Sequence, residues 1–402
     1  MNFSCDRDLI LEALNTVIKP VPQKASIPVL EGICFEIEAD GTCRLTGSDV
    51  EMSIETVIHI DAEEKGSFVV PAKKFFDMIS KIDSGKIDFT LDPNKMLHIV
   101  SGMIKFDIST QDAEFYPQMP LVEKSKSIVI KQELLLNMIK QTLFSVSEFE
   151  AKATLRGLYF CVEDGFLTVV GSDMRRMAMR KEEFLNTNGE DFSFIVPAKT
   201  AAELSKIITG DTDVIIGIAS THIVFEFDET KVTSRLISGE YIKYKSLLKR
   251  EFKNEVIVGC DDLKKALERA LIVNDKSNSC IRVNFEYDSI VIYCRTSEGH
   301  SLTDEIPCKK TGENMEIGFK GKYLLDVLNG CGQRNKDKNR FRKNSCLPCS
   351  DGRKRQIYIS DFPDEHKQRL IICTSNLYRP RISEIFIRRK LYLTAALISL
   401  PV

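Results

Sequence analysis

The chain's five histidines, His59, His98, His222, His300 and His366, and its twelve cysteines are the residues best suited to metal or redox chemistry. No two of the histidines stand at zinc-binding spacing. Cys346 and Cys349, in "CLPC", form a lone CxxC, and without a second pair this falls short of a metal or dithiol site. The acids Asp61, Glu63 and Glu64 cluster as residues of a solvated turn do. There is no Walker-type loop, GxSxG elbow or GxGxxG. Nothing supplies a nucleophile together with its base, so the expectation is a protein without a catalytic site, metal or cofactor.

The elements that carry these residues belong to a soluble, multi-domain chain. At 402 residues it exceeds one ordinary core, and an apolar fraction of 43% with 28% charged residues is that of a globular protein. No uninterrupted apolar run approaches a membrane span. The opening "MNFSCDRDLILEAL" has acids where a secretory signal places a basic region, which predicts a cytoplasmic protein. Scattered cysteines in a reducing compartment are expected to be free thiols filling small apolar sites. The net charge of −2 hides an asymmetry: residues 331–402 carry 16 Lys and Arg against 6 Asp and Glu, and residues 1–330 carry 40 against 52.

The organisation is a repeat. "SFVVPAKKFFDMISKI" begins at Ser67 and "SFIVPAKTAAELSKII" at Ser193, 126 residues later, so the repeated unit is a whole domain. "VLEGICFEI", "TLRGLYFCV" and "CIRVNFEY" bring Phe35, Phe160 and Phe285 into register, and "LTGSDVEMSI" is answered by "VVGSDMRRMAM". In the third copy "MEIGFKGKYLLDVL" takes the place of the Pro-Ala-Lys phrase. Each copy opens on an amphipathic helix, continues into alternating runs joined by turns, and repeats the helix-then-strands order once. The fold class is therefore α+β: three repeated domains of antiparallel sheet, each covered by two helices, over residues 1–125, 126–250 and 251–330.

In order and spacing, "SIPVLEGI", "LTGSDVEMSIE", "FVVPAKKFFDMI", "LRGLYFCVEDGFLTVVGSDMRRMAM", "FIVPAKTAAELSKII" and "IGFKGKYLLDVL" closely resemble the bacterial sliding clamps, the beta subunit of DNA polymerase III. The likeness runs to about residue 330. It implies a clamp fold that forms a ring as a head-to-tail homodimer around double-stranded DNA. It further implies that the polymerase III alpha subunit, the clamp loader and repair proteins dock through short peptide motifs.

Three sets of residues follow from that resemblance. Sliding requires phosphate attraction without base reading, and Lys24, Lys73, Lys74, Lys140, Lys199, Lys206 and Lys322 are the candidates; Lys73, Lys199 and Lys322 occupy related positions in the three copies. Each alone is equally consistent with a solvated surface lysine. The partner-peptide groove maps onto Leu155, Ser172, Met174, Arg175, Arg176, Met177, Ile242 and Leu247, whose apolar and Met side chains suit an adaptable surface. Here Ile242 replaces the family's usual proline, and Met174 with Arg175 its common Gly-His; Leu155 and Met177 also fit a plain core role. The dimer seam maps onto Phe106 and Ile108 on the first domain and Leu271 and Ile272 on the third.

Past Gly330 the repeat stops, the charge balance reverses, and "RNKDKNRFRKNSCLPCSDGRKRQ" lacks strand alternation. Back-translated and read one base later, "DGRKRQIYISDFPDEHKQRL" can spell "MEGKDKFIYLIFPMSINNG" and a stop, which resembles the family's ending. Residues 331–402 are thus read as a frame-shifted C-terminus, which would leave the third domain truncated, with an open sheet edge; a genuine basic tail is the alternative. Two other readings stay open: a clamp-fold scaffold that no longer closes a ring, and a metal-dependent nucleic-acid enzyme using the cysteine-containing tail.

Overall fold

The computed structural model describes residues 1–83, 85–117, 125–147, 152–183, 191–245, 254–274, 280–332, 369–371, 385–389 and 393–397. The first repeat runs β1 (Asn2–Asp6), α1 (Arg7–Val17), β2 (Gly32–Ile37), β3 (Thr42–Ser48), β4 (Met52–His59), β5 (Asp61–Ala62), β6 (Gly66–Pro71), α2 (Ala72–Ser80), β7 (Lys86–Leu91), β8 (Met96–Ser101) and β9 (Ile104–Ser109). The second runs β10 (Lys126–Lys131), α3 (Gln132–Lys140), β11 (Gly157–Glu163), β12 (Phe166–Ser172), β13 (Met177–Glu183), β14 (Phe192–Pro197), α4 (Ala198–Ile207), β15 (Asp213–Ile218), β16 (His222–Phe227) and β17 (Thr230–Arg235). The third runs β18 (Asn254–Val258), α5 (Cys260–Val273), β19 (Cys280–Phe285), β20 (Ser289–Arg295), β21 (Ser301–Thr311), β22 (Met315–Lys320) and α6 (Gly321–Gly332). Beyond it lie β23 (Arg369–Ile371), β24 (Ile385–Arg389) and β25 (Leu393–Leu397).

Packing groups the chain into two compact units, Met1–Leu136 with Lys199–Ile237, and Asn137–Ala198 with Ser238–Val402. In the first, α1 starts where the Asp6 carboxylate accepts from the backbone N–H groups of Asp8 at 2.9 Å and Leu9 at 3.4 Å, satisfying donors that a helix start leaves free. Ile10, Ala13, Leu14 and Val17 of α1 turn inward, as their spacing predicts. An aromatic cluster fills the core: Phe3 stacks on Phe89 at 4.7 Å, Phe35 on Phe68 at 5.1 Å, and Phe75 meets Phe35 edge-on at 5.6 Å.

Two sheets frame this unit, of order β5-β1-β7-β8-β9 and β10-β15-β16-β17-β4-β3-β2-β6. The second sheet joins two repeats edge to edge. β17 runs antiparallel to β4 with Thr230 opposite Thr56 and Ser234 opposite Met52, and the two threonine hydroxyls are hydrogen-bonded at 2.6 Å. Each edge thus satisfies the other's free backbone groups.

The second unit holds a sheet of order β13-β12-β11-β14 and an eight-stranded sheet of order β22-β19-β20-β21-β18-β24-β25-β23. Its aromatic pairs repeat those of the first: Phe160 stacks on Phe194 at 5.2 Å, and Phe285 meets Phe319 at 6.4 Å. Leu263, Ala266, Leu267 and Ala270 of α5 pack with Leu324, Val327 and Leu328 of α6 in one core.

The open edge expected on the third repeat is not what the structure has. β18 pairs in parallel with β24, Asn254 opposite Ile385, and β24 is followed by β25. In the first two repeats the equivalent partner is the strand after the second helix, β7 on β1 and β15 on β10, and both ladders are antiparallel. An unpaired edge accepts any extended segment that reaches it, which accounts for strands where the basic segment was expected to have none. Residues 333–368, with Cys346, Cys349 and His366, lie outside the described residues. Among the described residues no helix is long and apolar enough to cross a membrane.

Candidate functional site

The recurring Gly-Ser-Asp phrase forms one turn built twice. A Cβ on Gly47 would lie 1.9 Å from the carbonyl oxygen of Val17, and one on Gly171 would lie 2.5 Å from that of Thr142, so only glycine lets the helix end press on the strand. Ser48 and Ser172 donate to the carbonyls of Met52 and Arg176 at 3.3 and 3.0 Å. The Asp49 carboxylate accepts from the N–H groups of Glu51 and Met52 at 3.1 and 2.7 Å; Asp173 accepts from Arg175 and Arg176 at 3.0 and 2.8 Å. Val50 and Met174 occupy the tips with left-handed φ of 76° and 63°, and both are exposed.

In the second copy this turn carries five of the eight candidate groove residues, Ser172, Met174, Arg175, Arg176 and Met177. Leu155, Ser172 and Met177 are fully buried within the chain, which is where a plain core role puts them; Met174 and Arg175 are exposed and Ile242 is half-buried. Leu247 lies outside the described residues. Below, Tyr241 stacks on Tyr159 at 4.8 Å and Tyr244 meets Tyr159 edge-on at 5.9 Å, while the Tyr241 hydroxyl donates to the Val170 carbonyl at 3.4 Å. Burial pushes the Tyr241 and Tyr244 phenols far above their ordinary range, so both stay neutral donors.

Arg176 is enclosed. Its Nε donates to Asp173 at 3.2 Å, one Nη to Asp326 at 2.8 Å and the other Nη to the Phe144 carbonyl, and its Cζ sits 4.0 Å from the Tyr323 ring centroid. The fork of donors is therefore spent inside the protein. Sequence reasoning missed Phe144, Tyr323 and Asp326. The signal was available for two of them, because Tyr323 and Asp326 stand three apart in "GKYLLDVL" and share a helix face. Lys320 lies over the same ring at 5.4 Å, and its ammonium is held below the ordinary lysine range, chiefly by burial and then by the charge of Arg175.

The candidate phosphate lysines divide into two groups. Lys24, Lys73, Lys74, Lys140 and Lys322 are exposed, and Lys73, Lys199 and Lys322 are each the second residue of α2, α4 and α6. A helix N-terminus adds its own partial positive charge to such a lysine. Lys199, however, is ion-paired with Asp49, and Lys206 bonds both carboxylate oxygens of Glu203 at 2.8 and 3.0 Å.

At the candidate seam, β9 is an edge strand whose Phe106 is half-buried, whereas Ile108 is only 5% exposed and belongs to the core of its own unit. On α5, Leu271 packs against the third repeat's core and Ile272 is 78% exposed. Among the described residues no group of three or more His, Cys, Asp or Glu could hold a metal ion. The described cysteines are free thiols, and burial raises Cys34 and Cys43 to about 12, which makes them inert core fillers.

Comparison with known proteins covers nearly all of the three repeats. The sequence matches the family models of the DNA polymerase III beta subunit for its N-terminal domain over residues 1–120, its central domain over 129–243 and its C-terminal domain over 245–336. It is 31% identical over 343 residues to the beta sliding clamp of Halalkalibacterium halodurans and 30% identical over 340 residues to that of Bacillus subtilis, in each case over 82% of this chain and 90% of the relative. The crystal structure of the DNA polymerase sliding clamp from Bacillus subtilis matches with a TM-score of 0.82 at 25% identity, covering 100% of this chain and 99% of that one. The repeated turn, the edge-to-edge sheet and these matches agree: the chain belongs to the family of the DNA polymerase III beta subunit, the bacterial beta sliding clamps.

Proposed function

We propose that this chain is a sliding clamp that encircles duplex DNA as a head-to-tail homodimer, tethers a polymerase, and catalyses nothing itself. The observation that carries the reading is the ladder between β17 and β4, which makes one sheet of two repeats. In repeat order β9 corresponds to β17, and residues 301–307 of β21 correspond to β4. Among the described residues β9 pairs only with β8, and residues 301–307 of β21 pair only with β20. A second copy that sets its β9 against β21 extends the same join, and a head-to-tail contact of this kind closes into a ring when its rotation permits. The exposed Ile272 and half-buried Phe106 supply apolar surface for that contact.

DNA is held by Lys24, Lys73, Lys74, Lys140 and Lys322, with Lys199 and Lys206 contributing less because each already has a carboxylate partner. Polymerase III alpha subunit, clamp loader and repair proteins dock by short peptides beside Met174, Arg175, Ile242 and Leu247. The protein works in the cytoplasm and needs no cofactor. The test is topological. Loaded onto nicked circular duplex by its cognate loader, the protein stays through gel filtration and leaves when the circle is cut. Retention after cutting makes it an ordinary DNA binder, and failure ever to be retained makes it a clamp-fold scaffold.

A further inference from the structure

The first copy of the Gly-Ser-Asp turn has different surroundings from the second. Tyr116 is buried beneath it with Val29 and Leu30, and Ala25 and Ala113 pack against the same cluster. Its phenol meets the backbone of Ser48 as that of Tyr241 meets the backbone of Ser172, so the two corners are built alike. The buried positions are kept and the exposed ones are changed. Ile27, Val50 and Phe115 are all exposed at the first corner, Phe115 by 70%, whereas their counterparts in the aligned phrases are Lys152, Met174 and Glu240. A corner that folds with Lys152 and Glu240 at these places does not require apolar side chains there. Val50 is costlier still, because a β-branched residue resists the left-handed φ of 76° that it holds. Exposed apolar side chains gathered about one buried tyrosine make a patch of the kind that a partner covers. The charge is also changed. Glu31, Glu51 and Glu114 are exposed, the last two adjoining Val50 and Phe115 in the chain, where the second copy has Arg156, Arg175 and Gly239. Glu31 accepts from the Ala25 N–H at 3.0 Å, and Glu51 faces Arg235 at 3.5 Å in an exposed pair that water screens, so the corner keeps its acidic character.

We propose that the corner of the first repeat carrying Ile27, Val50 and Phe115 is a second docking surface, and that it takes a short peptide of a partner protein with apolar anchors and a basic residue. The anchors cover the three exposed side chains, and the Lys or Arg is drawn to Glu51 and Glu114. Because these carboxylates are exposed, they decide which peptides are accepted and how salt affects them more than they add raw affinity. The proposal stands on this corner alone and does not require that the second turn hold a peptide.

The experiment uses the full chain and fluorescein-labelled hexapeptides containing two Leu and one Ile as anchors, with a single Lys scanned through the remaining positions and Gln as its uncharged counterpart. Fluorescence polarisation is expected to show one Lys position binding about tenfold more tightly than its Gln counterpart, an advantage that salt weakens. Asn accepts a left-handed φ, so Val50→Asn is expected to raise the melting temperature while weakening that peptide about tenfold, a separation that a merely structural Val50 would not give. Phe115→Ser is expected to weaken it by a similar factor with the melting temperature unchanged. Glu51→Gln combined with Glu114→Gln is expected to remove the Lys advantage. No binding by any peptide overturns the proposal, and so does binding that neither Val50→Asn nor Phe115→Ser weakens, because the peptide then sits elsewhere. Equal binding of Lys and Gln peptides at every position overturns the basic preference. A loss of self-association in Phe115→Ser, read by sedimentation velocity, makes the corner a contact between copies of this chain and overturns the peptide as its occupant.

Discussion

The guanidinium of Arg176 lies 4.0 Å from the ring centroid of Tyr323 and bonds Asp326 one turn further along the same helix, so a turn of the second repeat is clasped to α6 of the third. Arg176 is almost buried and its carboxylate partners Asp173 and Asp326 are partly buried, and removing the cation leaves both carboxylates without it. Arg176→Ala is expected to cost about 3 kcal/mol, the range for breaking a buried ion pair. Tyr323→Phe keeps the ring and should change little. Urea unfolding of the variants checks this, and a loss in Tyr323→Phe as large as in Arg176→Ala would show that the ring is not what matters.

Ion pairing separates the lysines. Lys73→Ala should lower the slope of log binding constant against log salt by about one unit for a labelled duplex, uniformly across DNA sequences. Lys199→Ala should lower it less, because Asp49 already neutralises that side chain. Equal effects, or a loss confined to one sequence, would contradict the assignment.

Exposure separates the candidate seam residues. Ile272→Asp places a charge on a position 78% exposed in one chain, and should yield folded monomers in sedimentation velocity with unchanged circular dichroism. Ile108→Asp places it in the core and should unfold the unit around it instead. A dimer that persists in Ile272→Asp would remove that residue from the seam.

His98 on β8 bonds Asp107 of the edge strand β9 at 2.6 Å, and that bond, with the charges of Asp107 and Asp92, raises the imidazole above its ordinary 6.5. A raised value means the protonated ring stabilises the fold below pH about 6.5, and the contribution disappears as pH climbs through the higher folded value. An NMR titration of the His98 ring should give a midpoint above 6.5 that falls in Asp107→Asn. An unchanged midpoint in that variant would show that the contact does not form in solution.

We propose that the coding frame shifts near residue 331. The family match ends at residue 336, and the strand that pairs with β18 runs parallel where β7 and β15 run antiparallel. Gene sequences of close relatives should differ by one base near codon 331, and the restored chain should melt at a higher temperature. An intact frame ending in the basic segment throughout those relatives would refute this.

The repeat itself, and with it the three domains, was legible in the chain because each copy needs the same small set of residues. Phe35, Phe160 and Phe285 recur because each fills one sandwich of sheet and helix, and Gly47 and Gly171 recur because a helix end leaves no room for a Cβ. Lysines at the second position of α2, α4 and α6 could be read from the aligned phrases. What the sequence could not supply was which side chains meet across repeats. Arg176 reads as a groove residue until Asp326, Tyr323 and the Phe144 carbonyl are brought around it, and Lys199 reads as a free cation until Asp49, 150 residues away, is set beside it. Periodicity reports the face a residue turns to its own core. Only the tertiary fold decides which charge stands opposite it, and therefore which cations remain for a partner.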